Sequence, residues 1–316
     1  EFRRNRRALL VGGGVSGLRF DGRVVVVTGA GRGIGRAYAL LLAERGAAVV
    51  VNDLGASIEG EGADEGPAAE VVAAITDAGG TATADGHDVS DPAGAEALVA
   101  GALAAHGRLD AVVNNAGIIR WAAFPDVTPE DFDAHLDVHL RGSFLVTRAA
   151  WPHLVDSGSG RVVMTASTGI LGLPHNASYA AAKGGVLGLT RSLATRGAKY
   201  GVKVNAIAPA ANTRMADGGP AELDPALVAP LAAYLAHEDC PVTGEVYTAG
   251  AGRFARLFLA TTPGWIAGGE GDDDEPTPED VAAHWEAIND EEGYTVPADL
   301  MAWSRTFLDP LPPPER

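Results

Sequence analysis

Tyr179 and Lys183 stand four residues apart in SYAAAKGG, inside a stretch (178–201) whose spacing predicts a helix. Four residues are about one helical turn, so both side chains fall on one face. A free phenol titrates near pH ~10, too high for a useful proton acceptor at neutral pH. An ammonium group beside it favours the phenolate and brings it toward the working range. The pair is therefore suited to take a proton from a hydroxyl group. By itself it is also what an ordinary amphipathic helix with a surface lysine shows, so its meaning depends on what else the chain brings to it.

Two glycine clusters compete for that role. GGGVSG (residues 12–17) fits the fingerprint G-x-G-x-x-G, whereas TGAGRGIG (residues 28–35) spaces its glycines differently. A phosphate-binding turn needs a strand running into it and a helix leaving it, because the helix N-terminus then points at the phosphates. Only ALLV precedes the first cluster, and LRFDGR follows it. VVVV precedes the second, and RAYALLLAER follows. The second cluster, with Gly29, Arg32, Gly33, Ile34 and Gly35, is the candidate dinucleotide turn. Asp53 closes the next predicted strand, AAVVVND. A carboxylate there accepts hydrogen bonds from adenosine ribose hydroxyls and repels a 2′-phosphate. Arg32 acts in the opposite sense, but a flexible arginine can swing into solvent. NAD is the expected cofactor.

The elements that must position these residues alternate. Buried β-branched runs (VVVVTGA, AAVVVND, LDAVVNNAG, GRVVMTAS, VKVNAIAP) and the strands TATADGHDV and GEVYTAGAG are separated by helical patterns. Asp91 caps one helix with Pro92 at its first position, and Thr128 with Pro129 opens a long one over 128–154. Strands and helices alternate to about residue 252, which predicts a doubly wound parallel α/β sheet, Rossmann-like and single-domain. The expected division is a disordered leader at 1–17, a Rossmann-like domain at 18–259, and an acidic linker with a C-terminal helical appendage at 260–316. Trp265, Trp285 and Trp303 are expected to dock that appendage. The 316 residues carry a net charge of −17 and a single cysteine, Cys240. That charge argues against nucleic acid, and one cysteine excludes an internal disulfide, which fits a reducing cytoplasm. No apolar run approaches the ~18 residues of a membrane span. The opening EFRRNRRALLV is basic, but its apolar part is too short for a signal peptide.

The turn TGAGRGIG, NNAG (residues 114–117), and Tyr179 with Lys183, in this order, resemble the short-chain dehydrogenase/reductase family over about residues 20–252. VNDLG, VHLRGSF, VVMTAS and the 228–252 segment are similar to a narrower group, the dehydrogenase unit of the peroxisomal multifunctional beta-oxidation enzyme, also counted among 17β-hydroxysteroid dehydrogenases. The resemblance implies oxidation of a (3R)-hydroxyacyl-CoA by NAD. It gives Ser167 the task of holding the substrate oxygen, although Ser167 lies twelve residues before Tyr179 where the family usually has thirteen; Thr168 is the alternative. It gives Lys183 a second task at the nicotinamide ribose. His139 replaces the family's catalytic-helix asparagine, and either keeps that relay position or merely packs. By the same resemblance Asp88 and Val89 meet the adenine, Asn115 and Gly117 line the cofactor cleft, and Thr213 reaches the carboxamide. Pro209 begins a turn that reads Pro209-Ala210 where the family has P-G. With 316 residues and a PPER end unlike the peroxisomal S-K-L address, a stand-alone relative without the hydratase and lipid-transfer domains of the eukaryotic enzyme is expected. A homodimer or homotetramer is implied.

Other features weigh less. His135 and His139 have a zinc-compatible spacing, but H-L-D-V-H lacks a glutamate and a third ligand, so no metal is expected. His175 precedes the catalytic helix and is either substrate-facing or inert. The acidic loop Gly55 to Pro67 has either a partner or no role. Arg120, Arg214, Arg253 and Arg256 are expected on one rim of the cleft, where they would meet the phosphates of an acyl-CoA. Steroid or other lipophilic alcohols are the alternative substrates, and a non-catalytic dinucleotide binder is the alternative of another kind.

Overall fold

In the computed structural model, residues 17–214, 222–267 and 275–308 are described. The expectations for the basic opening, for all of GGGVSG but Gly17, and for the acidic run at 268–274 fall outside them. Strand β1 (Val24–Thr28) shows how the sheet is built. Successive side chains point to opposite faces. Val25 and Val27 enter one core with Tyr38, Leu42, Val71 and Leu235, while Val24 and Val26 enter another with Leu98, Leu109, Leu154 and Met164. A strand apolar on both faces must be covered on both. Helices α1 (Gly33–Glu44), α2 (Gly66–Asp77) and α7 (Ala229–Ala236) form the first layer. Helices α3 (Pro92–His106), α5 (Gly142–Asp156) and α6 (Ala177–Gly197) form the second.

The remaining strands are β2 (Ala48–Asn52), β3 (Thr81–Asp85), β4 (Ala111–Asn114), β5 (Arg161–Thr165), β6 (Lys203–Ala210), β7 (Val246–Gly250) and β8 (Arg253–Leu257). They lie in the order β3-β2-β1-β4-β5-β6-β7-β8. All neighbours are parallel except β7 and β8. The order reverses between β1 and β4, which opens a crevice at the carboxyl ends of these strands.

The doubly wound parallel sheet is thus observed, with three local differences. Strand β3 stops at Asp85, because the Asn52 amide reaches both Asp85 Oδ1 (2.7 Å) and the His87 carbonyl (2.9 Å) and turns the chain. Asp88 and Val89 therefore sit in a loop. The long helix opened by Thr128 runs as α4 (Pro129–His135), a π-turn segment Leu136–Arg141, and α5. Strand β8 adds an antiparallel edge just past the last expected strand. The appendage holds α8 (Pro278–Ala283), α9 (Trp285–Asn289) and α10 (Leu300–Leu308).

Of the three tryptophans expected to dock the appendage, Trp285 does not. Trp265 stacks on His284 (4.1 Å) and Trp303 on Phe307 (4.6 Å), both partners lying in the appendage itself, and Trp285 is exposed. Arg191 ties the appendage to α6, its guanidinium donating to the Pro297 (2.6 Å) and Ala298 (3.1 Å) carbonyls. At the other end, Phe20 is fully buried, edge-on to His237 (ring centroids 5.0 Å). Phe20→Ala should destabilise the folded chain by about 3–5 kcal/mol in chemical denaturation, the cost of an unfilled aromatic site. A loss under 1 kcal/mol would place residues 17–22 outside the core.

Candidate active site

The crevice is a cleft of about 570 Å³ that runs from the glycine turn to the start of α6. Its glycines are there because backbone approaches backbone. Gly29 has a positive φ (+62°), and a Cβ there would lie 2.8 Å from Ala116 Cα. A Cβ on Gly35 would lie 2.1 Å from the Gly29 carbonyl oxygen, and one on Gly31 2.7 Å from Pro67. Asn115 clamps the turn: its amide donates to the carbonyls of Thr28 and Gly29, both at 3.0 Å. The Thr28 hydroxyl accepts the backbone N–H groups of Asn115 and Ala116. Helix α1 leaves the turn with its N-terminus at Gly33 facing the cleft. A helix N-terminus at such a turn is suited to an anionic group, and the turn is close-packed enough that a side chain at Gly29, Gly31 or Gly35 would strike protein atoms.

Asp53 lines the cleft at the end of β2 and accepts from Gly31 N–H and Gly55 N–H, both at 2.7 Å. Arg32 turns to the Ala56 carbonyl (3.4 Å) and toward Asp64 (3.9 Å). Asp88 is held by Ser90 (2.7 and 2.8 Å), and Asp88, Val89, Ile34, Gly117, Pro209 and Thr213 all line the cleft. A Cβ on Gly117 would meet the His139 ring at 2.5 Å.

Ser167, Tyr179 and Lys183 share one wall. The Ser167 hydroxyl accepts from Gly169 N–H (3.0 Å) and lies near enough to the Tyr179 phenol to favour its ionised form. Lys183 is buried, 3% exposed, and its ammonium donates to the Thr165 carbonyl at the end of β5 (2.7 Å). It lies 5.7 Å from the Tyr179 ring centroid. His139, in the π-turn, stands edge-on to Tyr179 (5.1 Å) and is 2% exposed. Its Nε2–H donates to the Ile118 carbonyl (2.8 Å), and its buried Nδ1 has no partner among the described residues. Thr168 lines the cleft too; His175 is exposed and does not.

The family model "short chain dehydrogenase" matches residues 23–221. The chain belongs to the short-chain dehydrogenase family. It is 48% identical over 282 residues to the peroxisomal multifunctional enzyme type 2 of Mus musculus, covering 87% of this chain but only 38% of that protein. It is 44% identical over 204 residues to the hydroxyacyl-CoA dehydrogenase ChsB1 of Mycobacterium tuberculosis, covering 62% of this chain and 63% of the other. A crystal structure of a short chain dehydrogenase from Mycobacterium avium superposes with a TM-score of 0.72 at 39% identity, covering 86% of this chain and 97% of that one. This chain is an oxidoreductase of that family, and no helix among its described residues is long and apolar enough to cross a membrane.

Two expectations need correction. Burial dominates the titration of both proton-active groups in this dehydrogenase. It lowers Lys183 to about 7 and raises Tyr179, with the Ser167 hydrogen bond pulling the phenol back down. Lys183 thus places an amine near its own titration point beside the phenol, where a permanent ammonium acting on it was expected. The four arginines do not converge either. Arg120 and Arg214 line the cleft, whereas Arg256 is held on β8 by Glu245 (2.6 and 2.8 Å) and Arg253 lies at the β7–β8 turn.

Several functional residues escaped the sequence reading. Asn176 caps α6: its Oδ1 accepts Tyr179 N–H (3.0 Å) and the Ser178 hydroxyl (3.1 Å). Its amide donates to the Arg120 carbonyl (2.8 Å). An asparagine one residue before a helix is a legible cap signal. His135 spends Nδ1–H on the Asp131 carbonyl (2.8 Å) and accepts Arg120 N–H at Nε2 (3.1 Å), so it braces the wall. The loop at 55–67 also lines the cleft, through Ala56, Ser57, Ile58 and Gly60.

The depressed Lys183 has a measurable signature. The unfolded lysine holds its proton to about pH 10.4, while the folded one releases it near 7. Between these values the unfolded state binds more protons, so this residue's contribution to stability rises with pH. The wild type should gain stability relative to Lys183→Met from pH 7 to 10 in matched denaturation curves. Parallel pH profiles would show that Lys183 is not desolvated.

Proposed function

We propose that the chain oxidises a secondary hydroxyl to a ketone with NAD, and that its substrate is a (3R)-hydroxyacyl-CoA. The observation that carries this reading is the meeting of Ser167, Tyr179 and Lys183 on one wall of the cleft that begins at the glycine turn. When bound, NAD supplies a nicotinamide ring that accepts a hydride from the carbinol carbon. The protein's own groups handle the proton and the geometry. The Ser167 hydroxyl holds the substrate oxygen. Tyr179, as its phenolate, takes the hydroxyl proton and becomes the neutral phenol, its backbone aligned by Asn176. Lys183 lies on the same wall, 5.7 Å from the Tyr179 ring centroid, where its positive charge favours the phenolate and its amine can reach the cofactor ribose. His139 is neutral, because burial and the Lys183 charge hold it well below its ordinary value. With a buried, unpaired Nδ1 it serves as an acceptor in this wall.

NAD over NADP is supported by what surrounds the adenosine ribose position. Asp53 presents its charge there, and Arg32, the cation that would take a 2′-phosphate, is directed to Ala56 and Asp64. Asp88, Val89, Asn115 and Gly117 complete the cofactor wall, with Pro209 and Thr213 at the nicotinamide end. The thioester is supported by the relative named hydroxyacyl-CoA dehydrogenase and by Arg214 on the cleft rim. The acidic surface works against steering a polyanion inward. A steroid-like or other lipophilic alcohol is the second reading, favoured by Trp121, which lines the cleft and is 56% exposed. A non-catalytic binder would need none of the Tyr179, Lys183 and Ser167 arrangement. The reading includes a catalytic unit at 18–259, a homodimer or homotetramer, and a cytoplasmic setting in keeping with the free, buried Cys240.

Tyr179→Phe should lower turnover by roughly 10²–10⁴-fold, the usual worth of a positioned proton acceptor, while NADH still binds. Unchanged turnover would remove Tyr179 from the mechanism. In a panel of 3-hydroxyacyl-CoA chain lengths and both stereoisomers, the (3R) thioesters should be oxidised faster than hydroxysteroids; the opposite ranking would favour the second reading. Asp53→Ser should shift the NAD/NADP preference toward NADP by at least tenfold in kcat/KM, and an unmoved ratio would take cofactor choice away from Asp53.

A further inference from the structure

The loop between β2 and α2 is acidic, glycine-rich and closed on itself. Asp64 N–H donates to the Leu54 carbonyl (2.9 Å) and Ser57 N–H to the Glu61 carbonyl (2.9 Å). The Ser57 hydroxyl accepts the N–H groups of Glu59 and Glu61, both at 3.2 Å. Such a loop holds its own shape and can move as a unit. It also crosses the cleft. At its root Gly55 N–H is tied to Asp53 and Ala56 to Arg32, beside the glycine turn. At its tip it meets the segment that leaves β4: the Ile58 carbonyl accepts Ile119 N–H (2.8 Å), and a Cβ on Gly60 would lie 3.1 Å from Ile118. Ala56, Ser57, Ile58 and Gly60 face the same space as Gly33, Asp53 and Gly117. The loop is therefore a roof over the cofactor arm.

The side chain that closes this roof is Arg120. Its Nε donates to the Glu59 carbonyl (2.8 Å), one terminal nitrogen pairs with Glu61 (3.0 Å), and the other pairs with Asp131 on α4 (3.3 Å). A planar guanidinium can hold three acceptors in fixed directions. Arg120 is thus spent on protein groups and is not free for a substrate phosphate. Its backbone meanwhile joins His135 and Asn176, the groups that brace and cap the wall carrying Tyr179. One residue ties the roof to the catalytic side of the cleft.

We propose that Arg120 is a positioning residue whose guanidinium clasps the 54–64 loop across the bound dinucleotide and thereby sets how long the dinucleotide stays. This rests on the dehydrogenase reading above. A dinucleotide enters or leaves when the pairs with Glu61 and the Glu59 carbonyl open. Glu61 is exposed and the pair is wet, so it is weak and sensitive to salt. That suits a closure that must open at every turnover, and it makes the clasp readable.

The test is NADH release from the wild type and from Arg120→Ala, Arg120→Lys and Glu61→Gln, followed by stopped-flow fluorescence at low and high ionic strength. Wild-type release should speed up with salt. Arg120→Ala and Glu61→Gln should release NADH about two- to fivefold faster at low salt, the range open to a partly exposed ion pair, and should lose most of the salt dependence. Arg120→Lys should restore part of both. The steady-state loss should fall on KM for NAD more than on kcat. A structural brace alone would not create a salt-dependent release rate that the alanine abolishes. If the wild type binds NADH and all four proteins release it at the same rate and with the same salt response, the clasp is wrong and the dehydrogenase reading stands. If the wild type binds no dinucleotide, both fall.

Discussion

The bond from the Lys183 ammonium to the Thr165 carbonyl is the contact on which the catalytic wall depends. Thr165 ends a strand buried among its neighbours, and Lys183 lies nearly two turns into the helix that crosses over it. A polar group this deep is tolerated only when hydrogen-bonded. The bond therefore holds α6 at one height along β5, and with it the Tyr179 phenol beside Ser167. The same burial that demands the bond also lowers the lysine to about 7. Position and proton affinity come from a single packing fact.

The cofactor side has a comparable economy. The reversal of strand order between β1 and β4 opens the crevice, and Asn115 and Thr28 stitch its two edges together at the glycine turn. The turn is narrow because Gly29, Gly31 and Gly35 let backbone and side chains of other elements approach where no Cβ fits. Asp53 holds the glycine turn through Gly31 N–H and the root of the 54–64 loop through Gly55 N–H, so one carboxylate fixes both edges of this end of the cleft. The roof extends this logic: its own hydrogen bonds shape it, and Arg120 decides where it rests.

Much of this was legible in the residues. The strand-turn-helix context separated TGAGRGIG from the better-spelled GGGVSG, and the spacing of Tyr179 and Lys183 placed both on one helix face. The parallel sheet followed from β-branched runs too apolar to face water. The misreadings share a cause. Arg120 and Arg256 were assigned to substrate phosphates because a sequence shows charges without their partners, and both are paired within the protein. Trp285 was counted as an anchor because a large apolar residue in a tail suggests docking, yet it is exposed. The roof was unassigned because its function lies in what it spans.

The sequence by itself determined the order of elements, the turn that can cradle a pyrophosphate, and the chemical types at the site, since these depend on local spacing and side-chain identity. The tertiary structure alone decided the protonation balance of Lys183 and Tyr179, the neutrality of His139, the internal pairing of Arg120 and the covering of the cofactor arm. Each of those depends on desolvation and on contacts between residues far apart in the chain, which local pattern does not record.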